Sequence, residues 1–296
     1  MERRLEQHLQ YDKPQRILAV GIATLDIINT VADYPAENSE VRILKQQQHR
    51  GGNATNTLIT LSQLGHACSW AGVWVDHVAV IRQDFTQHHI DTQYCHRPTH
   101  GTMPTSYVLL NQVTGSRSIT HYRDLPEYSF SSFKQIDLSA FDWVHFEGRN
   151  VEETRLMLAW VKQQCPQLPV SLEIEKHRAG IETLFADADV MFFSQSYVHQ
   201  CGFNHVTDFI KQIKCHQADI FCAWGSTGAY ARAKNSTEIV FVPVKAVQAI
   251  DTLGAGDVFN AGVINSYLHN VAYLSQQLRD SCDLAGEHCA RLGFGD

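Results

Sequence analysis

The sequence predicts a three-layer α/β/α fold on a mostly parallel sheet, with a small antiparallel β lid attached. Three observations predict it. From Phe141 onward, short apolar runs alternate with longer amphipathic ones, the rhythm of parallel strands joined by helices on both faces. Two stretches, about 22–50 and 100–123, break that rhythm with period-two alternation and turn residues, and read as lid strands. The 296 residues, 44% apolar and 19% charged, are enough for one large packed core and argue against disorder.

The elements follow in order. Residues 1–15 are polar, lack the apolar stretch of a secretory leader, and read as a tail before a single domain at 16–296. Residues 16–21 (RILAVG) form a buried first strand, and 24–31 and 41–44 are extended. Residues 56–64 have helical spacing and stop at Gly65; 68–75 return to strand and 77–88 to helix. SYVLLNQ and SRSITHYR flank a turn at Gly115 and make a hairpin. Strands are expected at 142–146, 170–175, 189–194, 219–224 and 238–244, with helices at 152–164, 180–188 and 205–217. Two long helices close the chain, at about 254–268 and 274–292.

Composition excludes several functions. Lys plus Arg number 24 against 31 for Asp plus Glu, a net charge of −7, which disfavours nucleic acid and anionic membranes as partners. There is no apolar run of the length of a membrane span. The eight cysteines are scattered singly with no C-x-x-C, as expected of reduced thiols in a cytoplasmic protein. No G-x-G-x-x-G follows the first strand and no GxxxxGK[ST] occurs, so neither a dinucleotide oxidoreductase nor a Walker-type NTPase is expected.

The strongest chemical signal is DTLGAGD at 251–257, which opens a helix after a strand. Gly254 and Gly256 let the backbone approach a ligand, and the N–H groups of Gly254, Ala255, Gly256 and Asp257 make an anion site at the positive end of the helix. A carboxylate beside an anion site suits one task. Asp257 can take a proton from an incoming hydroxyl while the N–H groups hold a transferring phosphoryl group. A second signal is GGNATN at 51–56, where Gly52 exposes backbone N–H groups and Asn53 and Asn56 lie three apart at a helix start, able to grip a polyol. Asp26, shortly after the first strand, can hydrogen-bond two sugar hydroxyls. Taken alone, the last two would pass for a helix cap and a surface turn.

These residues together resemble the ribokinase-like (PfkB) carbohydrate kinases, over nearly the whole chain from about residue 16. DTLGAGD is similar to their C-terminal signature, GGNATN to their glycine-rich substrate motif, and Gly225 to Gly228 to their ATP-loop glycines. Tyr34-Pro35, Ser39-Glu40, Gly115-Ser116-Arg117, HFEGRN at 145–150, CAW at 222–224 and the terminal AGEHCARLGF resemble the ketohexokinase branch.

The resemblance implies transfer of the ATP γ-phosphoryl to a sugar hydroxyl, foremost D-fructose to D-fructose 1-phosphate. Ribose, tagatose or another ketose, or a silent sugar-binding regulatory protein on the same fold, are the alternatives. Asp257 would be the base, with Asp26, Gly52, Asn53 and Asn56 on the sugar and Arg117 on the phosphates. Trp224, Gly225, Ser226, Thr227, Gly228 and Asn260 would line the nucleotide. Magnesium is implied, with Glu147 and Asn150 reaching it through water, and potassium near the Asp251–Thr252 loop. The resemblance further implies a homodimer through the β lid, where Asn38 stands at a position expected to be acidic.

Overall fold

The computed structural model describes residues 14–76, 78–291 and 293–294. Residues 1–13 of the expected tail, His77 at the head of the second expected helix and Leu292 at the end of the last lie outside the described residues.

The strands are β1 (Arg16–Val20), β2 (Thr24–Val31), β3 (Lys45–Gly51), β4 (Ala67–Ala71), β5 (Thr105–Asn111), β6 (Arg117–Tyr122), β7 (Trp143–Glu147), β8 (Val170–Ile174), β9 (Val190–Phe193), β10 (Asp219–Ala223), β11 (Gly228–Arg232) and β12 (Val240–Pro243). The α-helices are α1 (Asn53–Gln63), α2 (Ala79–Gln87), α3 (Phe130–Phe133), α4 (Val151–Gln164), α5 (Gln195–Gln200), α6 (Val206–Gln212), α7 (Ala255–Leu268) and α8 (Leu274–Cys289).

The main sheet runs β12-β11-β10-β9-β8-β7-β1-β4. It is parallel from β4 to β10 and antiparallel across β11 and β12. Strands β7, β8 and β9 are buried along their whole length, as strands covered by helices on both faces must be. The chain passes from β1 to β4 on one side and later returns to β7 on the other, so the order reverses beside β1. In open α/β sheets a crevice forms there, at the carboxyl ends of the strands.

The second sheet runs β3-β2-β5-β6. The expected antiparallel arrangement holds for β2 with β3 and for β5 with β6, but the central pair, β2 with β5, is parallel. The sheet is therefore two antiparallel pairs joined side by side.

Local departures have physical causes. The polar run KQQQHRG, not the apolar 41–44, forms β3, because it is an edge strand paired among the described residues with β2 alone, and only Arg50 and Gly51 at its end are buried. In the expected strand at 68–75, regular pairing ends at Ala71. The expected helix at 205–217 ends at Gln212, where the Arg232 guanidinium takes the carbonyls of Ile210 and Cys215 and turns the chain. The expected helix at 180–188 is a 3-10 turn at Ile181–Asp187. Helices α3 and α5 and strand β11 were not anticipated; each has six residues or fewer, too few to show a hydrophobic period.

Candidate active site

Two helix N-termini meet at the carboxyl edge of the sheet. Helix α7 is apolar on nearly every side and buried, as a helix driven into the core must be. Its cap is Gly254, at φ 76°, a conformation L side chains rarely adopt. No side chain caps its first turn, and of the leading N–H groups that of Ala255 makes a long bond, 3.4 Å, to the Thr252 carbonyl, which a ligand can displace. Helix α1 begins at Asn53 beside it, and the Thr57 hydroxyl donates to the Asp257 carbonyl at 3.3 Å.

Asp257 lies in the first turn of α7 and is 6% exposed. Its Oδ2 accepts a hydrogen bond from Asn56 Nδ2 at 2.7 Å. Burial pushes its carboxyl well above the usual carboxylate range. The Asn56 hydrogen bond opposes that rise, Glu175 and Glu147 add to it, and Arg50 opposes it. Such a group accepts a proton more readily than an exposed aspartate.

Glu173 is the second buried acid. Its Oε1 accepts from Asn53 Nδ2 at 3.2 Å, and its buried Oε2 has no hydrogen-bond partner among the described residues. Burial raises its carboxyl well above the usual range, and Asp257, Glu147 and Glu175 raise it further. Glu147 Oε2 accepts from the Ile22 N–H at 3.0 Å and its Oε1 from Arg149 Nη1 at 3.3 Å, so it holds the turn between β1 and β2. Asn150, at φ 35°, is the N-cap residue of α4.

The glycine pair is set by close approach. A Cβ on Gly51 would lie 2.1 Å from Asp26 Oδ2, so Asp26 folds over this turn. Thr24 Oγ1 donates to its Oδ1 at 2.8 Å. At Gly52, with φ 108°, a Cβ would lie 2.1 Å from the Ile22 carbonyl oxygen.

A cavity of about 740 Å³ adjoins Asp257. Its wall includes Gly225, Ser226, Gly228 and Asn260, assigned above to the nucleotide, Gly256 of the anion site and Thr252 of the potassium loop, but not Gly254. Trp224 and Thr227 are not part of the wall; the Trp224 ring packs against His199 at 5.3 Å. Glu173 lines the cavity, whereas Glu147 and Asn150 do not. A Cβ on Gly256 would meet nothing within 4 Å, which leaves room at the helix start for an anion. Arg117 reaches in from β6, donating to Thr252 Oγ1 at 3.3 Å and lying 3.8 Å from Asp251. Asp251 accepts the Leu253 N–H at 2.9 Å and the Gly293 N–H at 3.3 Å.

Sequence reasoning gave no role to several of these residues. Glu173 carried a signal, an acid inside an otherwise apolar strand. Ser194, Gln195, Ser196 and Cys282 carried none, because their common feature is the cavity they line; Gly286 and Cys289 lie in the terminal AGEHCARLGF, which was noted without a role for either.

Comparison with known proteins agrees with this geometry. The sequence pattern described as pfkB family carbohydrate kinase matches residues 14–292. The chain is 37% identical to ketohexokinase of Mus musculus over 292 residues, covering 95% of this chain and 98% of that protein. Among solved structures, ribokinase from Giardia lamblia superposes with a TM-score of 0.79 at 15% identity, covering 95% of this chain and 96% of that one. Ribokinase from Arabidopsis thaliana, complexed with ribose and ATP, superposes with a TM-score of 0.75 at 16% identity, covering 95% and 94%.

Proposed function

The chain belongs to the pfkB family of carbohydrate kinases and is an ATP-dependent sugar kinase, and from that premise we propose that it phosphorylates the 1-hydroxyl of D-fructose. The carrying observation is a buried Asp257, held by Asn56 at 2.7 Å, at the N-terminus of α7 beside the nucleotide-sized cavity. The choice of a ketohexose leans on the mouse relative, named ketohexokinase, at 37% identity.

The sugar lies between Asp26, Asn53, Asn56 and the glycine turn, with its reacting hydroxyl on Asp257 Oδ1, which accepts no hydrogen bond from the described residues. Asp257 takes the proton as the hydroxyl oxygen bonds to the γ-phosphorus and the bond to the β,γ-bridging oxygen of ATP breaks, leaving ADP. The N–H groups of Gly254, Ala255 and Gly256 and the Arg117 guanidinium stabilise charge on the phosphoryl oxygens. Bound magnesium would neutralise phosphate charge. The Glu173 Oε2, on the cavity wall and without a partner among the described residues, fits a water of such an ion's shell, so Glu173 is the proposed outer ligand in place of Glu147 and Asn150, which do not line the cavity. Potassium at the Asp251–Thr252 loop would share Asp251 with Arg117.

A homodimer through the lid is part of the same proposal. Ile43, Leu44, Tyr107, Ile119 and Tyr122 expose apolar surface on or beside the second sheet, and a partner's lid would cover it. All eight cysteines are free and no described helix is long and apolar enough to cross a membrane, which supports a cytoplasmic location.

The proposal is tested by ADP release with ATP, magnesium and potassium against fructose, tagatose, ribose, glucose and adenosine. Fructose is expected to give the highest kcat/KM. A higher value with another acceptor moves the substrate and leaves the chemistry in place. No release with any acceptor, from folded protein that binds ATP, makes the silent binder the better account.

Gly256→Ala separates packing from chemistry. Its methyl enters open space, so it is expected to raise stability by about 0.5–1 kcal/mol. The same methyl intrudes on the anion site, and kcat is expected to fall about 10- to 100-fold. Thermal melting and steady-state rates on one preparation check both signs.

A further inference from the structure

Arg50, the residue before the glycine pair, stands one side chain away from the proposed base. It is the last residue but one of strand β3 in the second sheet and its side chain is 1% exposed. Its Nε–H pairs with Asp84 of α2. Its Nη1 donates to Thr55 Oγ1 at 2.8 Å and to Asn56 Oδ1 at 2.7 Å. Phe85 and Phe294 flank the guanidinium, their ring centroids 6.0 and 5.5 Å from its carbon.

The chemistry of the two side chains fixes an orientation. A guanidinium has donors only, so the Asn56 oxygen faces Arg50 and its NH₂ faces Asp257. Flipped, the amide would set an oxygen against the Asp257 carboxylate, which favours the protonated acid over the base. Thr55, held by the same nitrogen, has its hydroxyl within bonding distance of the Gly51 and Gly52 carbonyls, at 3.1 and 2.9 Å. One buried cation thus touches the residue that orients the base and the residue that closes the sugar turn.

We propose that Arg50 is a positioning residue for phosphoryl transfer, acting through Asn56 to keep Asp257 ionised with one oxygen occupied and the other open to the sugar hydroxyl. The role rests on Asp257 being the base. The charges that face Asp257 are Glu147 at the end of β7, Glu173 and Glu175 at and after the end of β8, and Arg50 itself. Those that face Arg50 are Asp84, Asp26 and Asp257, with His88 beside Asp84. Among the described residues of the first set Arg50 is the cation, and Asp84, Asp26 and Asp257 offset its charge.

The test compares Arg50→Lys and Arg50→Met with wild type and Asp257→Asn by kcat, KM and the pH dependence of kcat, using fructose and ATP. Lysine keeps the charge but cannot supply the fork to Asp84, Thr55 and Asn56 at once. It is expected to lose about 10-fold in kcat, methionine about 100-fold, with KM for ATP within about twofold of wild type. The acid limb of the kcat profile is expected to move up by about one unit in the methionine variant and less in the lysine variant. If the methionine variant does not fold, the lysine variant decides on the same two readouts. Folded variants with wild-type kcat and an unmoved acid limb, beside an inactive Asp257→Asn, overturn the role of Arg50 alone. An active Asp257→Asn overturns the base and with it the premise.

Discussion

Asp257→Asn is expected to lower kcat about a thousandfold while fold and ATP binding persist. The isosteric amide can still accept the Asn56 hydrogen bond that wild type receives at 2.7 Å, so the helix start keeps its geometry. It cannot take a proton from a sugar hydroxyl. Stability supplies an independent sign. Burial raises the folded-state pKa of Asp257, so its contribution to stability is full below the unfolded value and is lost as pH rises through the folded one. The asparagine variant does not titrate, and it is therefore expected to melt no lower than wild type at neutral pH, with its relative advantage fading in acid. The measurements are initial rates of ADP formation, calorimetric titration with ATP, and melting at two pH values. Near-normal turnover would remove Asp257 from the mechanism.

Gly52→Ala is expected to damage fold and function together. The methyl would lie 2.1 Å from the Ile22 carbonyl oxygen, a backbone atom at the hinge between β1 and β2, and the residue would have to hold φ 108°. Steric overpacking and the strained dihedral together cost about 2–4 kcal/mol. The turn that yields carries Asn53 and Asn56, so kcat/KM for the sugar is expected to fall about 100-fold or more. Gly256→Ala is the control, because its methyl meets nothing within 4 Å. One glycine is required by the protein's own backbone, the other by the ligand's space. Equal melting temperatures for the two variants would contradict this distinction.

The contrast between these glycines bears on what the sequence could tell. DTLGAGD was legible because small residues between a strand and a buried helix have few purposes, and an acid in that first turn narrows them further. The parallel sheet was legible from its buried apolar runs, since β7, β8 and β9 have no exposed residue. Strand β3 was illegible for the opposite reason: as an edge strand paired among the described residues with β2 alone, it needs no apolar pattern. The parallel pairing of β2 with β5 joins segments about eighty residues apart, and no local signal encodes such a register. Arg50, just before GGNATN, and Glu173, inside the apolar strand at 170–175, were given no role, because their burial beside Asp257 is a property of the folded chain. The last turns of α8 reach the cavity only because α7 and α8 pack side by side.

Phosphorus and carbon NMR of a reaction holding the protein, ATP, magnesium and fructose tests the central claim most directly. The account predicts a new phosphomonoester signal, coupled to carbon 1 of fructose, that grows one for one with ADP. Release of ADP with inorganic phosphate and no sugar phosphate, or a phosphate on another carbon, would contradict it.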